Sequence, residues 1–141
     1  MRSPDSDLFE WLVDLRRRFH MQPEISHQET ETTRTIIAIL EDLGVAAAPI
    51  DDMTGAVGIM RGSADGPTVG LRADIDALPI QELNDVDYRS KIPGVMHACG
   101  HDANATIMLG VARRLMDAGM PDKMKGNVKF LFQPAEERGA G

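Results

Sequence analysis

The sequence predicts an α/β fold, a three-layer α/β/α sandwich that is incomplete on its C-terminal side. Three observations predict it. Helix-period stretches come first, strand-length apolar runs separated by Gly, Pro and Asp follow, and another helical stretch lies between the last two runs. The 141 residues suit one domain. With 43% apolar and 26% charged residues the chain has the composition of one that buries a core rather than one that stays disordered.

Each element has its own signal. Leu8, Leu12, Leu15 and Phe19 recur at helical spacing with Trp11 beside them. Asp7 followed by Glu10 reads as the start of this helix and Pro23 as its stop. Ser26 and Glu29 have capping-box spacing, and Ile36, Leu40 and Leu43 form an apolar stripe that ends at Gly44, so a second helix is expected over about 27–43. Runs 45–50, 56–60 and 68–71 read as strands. A third helix is expected near 103–118, with Met108, Val111 and Leu115 on one side and Gly119 past its end. Segment 127–132 is a compact apolar strand halted by Pro134. The sequence stops at Arg138-Gly139-Ala140-Gly141, straight after that strand. Because α/β sites gather at the carboxyl ends of strands, the pattern reads as truncated, and its open edge is expected to make the chain self-associate or dissolve poorly.

Charge and composition exclude several classes. A net charge of −7 argues against nucleic acid, which needs a basic stripe to neutralise phosphates. No apolar run approaches the ~18 residues of a membrane span, and the start lacks the basic end and apolar stretch of a secretory leader. The single cysteine, Cys99, cannot form an internal disulfide, so a reducing cytoplasm is expected.

Three clusters carry chemistry. In His97-Ala98-Cys99-Gly100-His101-Asp102, Cys99 and His101 are two apart, and thiolate with imidazole suits zinc-like divalent ions. The same residues also fit a buried inert cysteine or a cysteine nucleophile with a nearby histidine. Asp74 and Asp76 follow an apolar run and fit either the orientation of a ligand histidine, the binding of a hard cation, or a solvated turn. Glu136 and Glu137 stand side by side after the last strand, where diverging side chains suit two different tasks, one on a metal and one facing water.

The assembled pattern resembles the M20 metallopeptidases, in particular the amidohydrolase branch of hippurate hydrolases, N-acyl-amino-acid deacylases and auxin-conjugate hydrolases. Four motifs carry the resemblance: Arg17-Arg18-Phe19-His20-x-x-Pro23-Glu24, the segment from Leu71 to Pro79, the segment from Pro93 to Asp102, and Phe132-Gln133-Pro134-Ala135-Glu136-Glu137. The resemblance implies hydrolysis of the amide bond of small N-acyl amino acids at a centre of two divalent ions (Mn, Zn, Co or Ni). It implies Cys99, His101 and Glu137 as metal ligands, Glu136 as the general base on a metal-activated water, and Asp76 and Asp102 as supports behind the ligands. His97 is not an expected ligand, His20 is expected to be structural, and Arg72 is expected to anchor the sheet edge.

The resemblance also implies that residues 1–141 are the N-terminal part of a catalytic domain, without the lid domain through which the family dimerises and without the rest of the catalytic domain. Partial or weak metal binding and little turnover are therefore expected of this chain alone. Members of the resembling family commonly carry a histidine where this chain has Asn104. The alternative reading is a non-catalytic metal-binding or subunit-interaction domain that keeps the motif for structure.

Overall fold

The computed structural model describes residues 4–139; residues 1–3 and 140–141, which enter the leader and tail readings above, lie outside them. Helix α1 runs Pro4–Met21. It begins ahead of the Asp7 signal because proline suits the first turn, where its missing N–H has no partner to lose. Asp5 and Asp7 add negative charge at the positive end of the helix.

Helix α2 spans Thr30–Asp42, three residues later than expected, and the Ser26–Glu29 capping box is corrected. Glu29 stands at the N-cap but makes no side-chain cap bond. The Glu24 carboxylate caps the helix instead, accepting from the N–H groups of Glu31 at 3.1 Å and Thr32 at 2.8 Å. Glu24→Ala is expected to lower stability by about 1 kcal/mol, the usual worth of a cap. Urea unfolding measures this, and an unmoved midpoint would show that the cap contributes nothing.

The strands are β1 (Ala46–Pro49), β2 (Ala56–Arg61), β3 (Ala64–Asp74) and β4 (Lys125–Gln133), in sheet order β1-β2-β4-β3. β1–β2 and β2–β4 are antiparallel, while β3 and β4 are parallel. Helix α3 (His101–Asp117) makes the crossover between them, followed by the short α4 (Met120–Lys123), which has no clear sequence signal. β3 extends well beyond the 68–71 run. It is an edge strand and mostly exposed, so its outer residues Ala64 and Asp74 are held by pairing with β4 rather than by a strand-like pattern of their own, with a register irregularity between Ala64 and Thr68.

Alternation along the strands turns Ala56, Met60, Ala73, Phe130 and Phe132 to one face. There they meet Leu15 and Phe19 of α1, Ile36 and Leu40 of α2, and Met108, Leu109 and Ala112 of α3 in one buried core. Burying each large apolar side chain is worth about 1.5–3 kcal/mol. On the opposite face, a Cβ at Gly70 would meet open space and Arg72 is exposed. The α/β class is as expected, and among the described residues the sandwich is represented by the sheet and one helical layer. No helix among them is long and apolar enough to cross a membrane.

Candidate metal centre

The parallel pairing of β3 with β4 brings Asp74 level with Gln133 at the carboxyl ends of both strands. Chain leaving β3 passes through a loop pinned by the Ile25–Ala77 and Leu78–Met96 bridges and enters α3 at His101. Chain leaving β4 enters a 3-10 turn, Glu136–Arg138. All three sequence clusters therefore meet at one end of the sheet, as α/β folds favour. Gly100 caps α3 at φ +87°, a backbone state that strains any residue with a Cβ. Here glycine serves the turn rather than space, since nothing stands where its Cβ would be.

Cys99, His101 and Glu137 each offer one donor atom, and the three lie within 4.8 Å of one another. His101 Nε2 is 3.8 Å from a Glu136 oxygen and 3.9 Å from Glu137 Oε1. On its other side, His101 Nδ1 donates to the Asp76 backbone oxygen at 2.9 Å and lies 3.2 Å from Asp76 Oδ1. This partner assigns the ring proton to Nδ1 and leaves the Nε2 lone pair facing the acidic pair, the form of a metal-binding histidine. Asp76 is buried, and its Oδ2 accepts from Ser26 Oγ at 2.7 Å and from the Glu137 N–H at 3.0 Å. One carboxylate thus orients the imidazole and the backbone of the second acid.

Two features test whether a cation fits. Glu137 Oε1 is buried without a hydrogen-bond partner, an acceptor that a cation would satisfy. The hydrogen bond to Glu137, burial, and the charges of Glu137, Glu136 and Asp74 push the Cys99 thiol upward from its ordinary range. An activated cysteine nucleophile needs the opposite field, whereas a bound cation would reverse this one and favour thiolate. Thiolate, imidazole and carboxylate together suit a borderline divalent ion.

A second donor set, Asp74, His101 and Glu136, shares the same imidazole. Asp74 and Asp76 therefore have different surroundings: Asp76 lies against Nδ1, whereas Asp74 shares a donor set with His101 and Glu136. Arg72, at the sheet edge as expected, is 2.6 Å from Asp74 Oδ1. Asn104, at the position where a histidine is common in the resembling family, lines a groove with Asp74 between β3 and α3.

The expected support of His101 by Asp102 is corrected. Asp102 Oδ1 accepts from the Ala103 N–H at 2.8 Å, and its Oδ2 faces away toward His20 Nδ1 at 2.7 Å and Arg16 Nε at 2.9 Å. A side chain at the start of a helix points away from that of its neighbour, so adjacency in sequence does not give contact. His20 is buried and structural as expected, with its Nε2 3.1 Å from Glu82. Burial opposes ionisation of Glu82, but the Ser90 N–H, His20 and Asn84 outweigh it and hold the carboxyl below its ordinary range. His97 is in neither donor set. Burial drives its pKa down to about 4, and neither ring nitrogen has a hydrogen-bond partner among the described residues.

The sequence reading missed Ser26 and Glu29 as parts of this end of the sheet. Their spacing matched a helix cap, and nothing local betrays that Ser26 bonds Asp76 and Glu29 bonds Ala135.

The family model described as Peptidase family M20/M25/M40 matches residues 70–141, which include all three clusters. The chain belongs to peptidase family M20/M25/M40. Within this M20 family it is 46% identical over 135 residues to IAA-amino acid hydrolase ILR1-like 5 of Arabidopsis thaliana, covering 96% of this chain and 30% of that protein. It is 45% identical over 136 residues to N-acetyl-L-cysteine deacetylase of Bacillus subtilis, covering 96% of this chain and 32% of that one. The crystal structure of the Bacillus subtilis YXEP protein, described as a dinuclear metal binding peptidase from the M20 family, superposes with a TM-score of 0.92 at 42% identity over 97% of this chain and 38% of that chain. The M20 chain described here thus spans about a third of the length of these relatives.

Proposed function

We propose that this chain is the N-terminal part of the catalytic domain of a metal-dependent amidohydrolase that cleaves the amide bond of N-acyl amino acids. The observation that carries the reading is the gathering of Cys99, His101 and Glu137 donors within 4.8 Å, with Glu136 beside the same imidazole. Relatives named as an N-acetyl-L-cysteine deacetylase and an IAA-amino acid hydrolase support the substrate class. Cys99, His101 and Glu137 hold one divalent ion, manganese, zinc, cobalt or nickel. Asp76 keeps the His101 lone pair on Nε2, and Asp102 anchors the start of α3 to α1 through His20 and Arg16.

Bound ions supply polarisation of the scissile amide and acidification of water. Glu136, 40% exposed where the Glu137 side chain is 21% exposed, is the acid open to solvent and takes a proton from the attacking water. The same carboxyl then returns the proton to the departing amine. A second ion would draw on Asp74, and since one imidazole nitrogen serves one ion and Glu136 is kept as the base, its other donors are not among these three residues. The partner is a small N-acyl amino acid in a reducing cytoplasm, with dimerisation left to a domain outside these residues.

Cobalt titration of the 141-residue chain, followed by visible absorption, tests the site. Weak binding of about one ion is expected, with a thiolate-dependent band that Cys99→Ala removes. Asp76→Ala is expected to weaken the affinity about 10- to 100-fold, as for other supports of ligand histidines. Binding that ignores both substitutions would refute the assignment.

A further inference from the structure

We propose that Glu29 is a positioning residue for the acidic pair, holding the left-handed turn at Ala135 from which Glu136 and Glu137 diverge. This rests on the proposed function for its consequence, but not for its geometry. Glu29 is fully buried. Its Oε1 accepts from the Ala135 N–H at 2.8 Å, across 106 positions of sequence, and its Oε2 accepts from Thr54 Oγ1 at 2.6 Å. Among the described residues the partners of its carboxylate are an N–H and a hydroxyl, with no cation. A carboxylate so placed costs free energy unless its hydrogen bonds are well formed, and an apolar residue would fill the space at less cost.

The segment it grips is itself constrained. Ala135 has φ +53°, a region that residues with a Cβ rarely occupy unless the surroundings impose it. Two positions on, the Glu137 N–H is held by Asp76 Oδ2 at 3.0 Å. Two buried carboxylates therefore clamp amides on either side of Glu136. The grip on Glu29 is local too: its carbonyl oxygen accepts from the N–H and hydroxyl of Thr33, at 3.0 and 2.6 Å, and the Thr33 hydroxyl accepts from the Gly55 N–H at 2.8 Å. Without Glu29 the turn is free to relax toward negative φ, which swings the Glu137 carboxylate away from Cys99 and His101.

The test uses the 141-residue chain with two readouts, amide hydrogen exchange at Ala135 and cobalt affinity. Glu29→Ala is expected to speed Ala135 exchange more than tenfold and to weaken cobalt binding about tenfold or more, the usual effect of removing a support behind a ligand. Glu29→Gln is expected to stay within about threefold of the parent in both readouts, because its amide oxygen still accepts from Ala135. Ala135→Gly in the Glu29→Ala background is expected to recover most of the cobalt affinity, since glycine takes positive φ without a clamp; a role in overall stability alone predicts no such recovery. Should Glu29→Ala fail to fold, Thr54→Val removes only the hydroxyl that orients the carboxylate, and faster Ala135 exchange is expected of it. A folded Glu29→Ala chain with unchanged exchange and affinity, or a Thr54→Val chain unchanged in both, overturns the proposal. A parent chain that binds no cobalt would refute the metal site, while the exchange arm would still decide the clamp.

Discussion

In the full-length amidohydrolase proposed above, Glu136→Gln is expected to cut hydrolysis of an N-acyl amino acid about 10²- to 10⁴-fold, the usual worth of a positioned general base. The substitution keeps the size and the hydrogen-bonding outline of the side chain but removes its ability to take a proton at neutral pH. Glu136 lies outside the Cys99–His101–Glu137 set, so the first cobalt ion is expected to bind with affinity unchanged within the error of the titration. The fold should also hold, because the side chain is 40% exposed. Parallel measurement of turnover and cobalt binding separates the roles of the two neighbouring acids. Turnover that survives would remove Glu136 from the chemistry, and a joint loss of turnover and the first ion would make it a ligand instead.

The largest effect on stability is expected from Asp102→Ala, a loss of about 3 kcal/mol in urea unfolding. That lies at the upper end of what leaving a buried polar group without its hydrogen-bond partner costs. The Asp102 side chain is fully buried and serves three donors: His20, Arg16 and the Ala103 N–H. Arg16, about a third exposed, can turn toward water and contributes little to the cost. His20 cannot, because it is enclosed by Tyr88 at 5.8 Å and by Glu82, and its Nδ1 would lose its carboxylate partner. The cluster ties α1, α3 and the loop around Glu82 together, so its loss should also loosen the start of α3, where His101 sits. An unfolding midpoint unchanged by the substitution would show that the buried network contributes nothing net.

The three clusters that meet at the candidate site were readable because each is a short run of reactive residue types beside a strand or helix end. Helix α1, the stripe of α2 and the apolar β4 were readable because periodicity is a local property. The errors share a cause. Ser26 and Glu29 have the spacing of a cap, and a cap is the local use of such residues, but Asp76 and Ala135 approach from other elements and take them over. Asp102 stands next to His101 in sequence, yet the first turn of α3 sends it toward His20 instead. β3 was read too short because its ends, Ala64 and residues 72–74, are set by pairing with β4 rather than by a pattern of their own.

The linear order of residues by itself determined the donor types at this centre, the strand and helix ends that carry them and the family to which they belong, since these depend on side-chain chemistry and local spacing. Which carboxylate serves which partner was decided only by the tertiary structure. Asp76 orients the imidazole, Asp102 joins two helices and Glu29 holds the turn before Glu136. A buried carboxylate takes whatever donors the packing of distant elements brings within about 3 Å, and that packing is settled by the core as a whole.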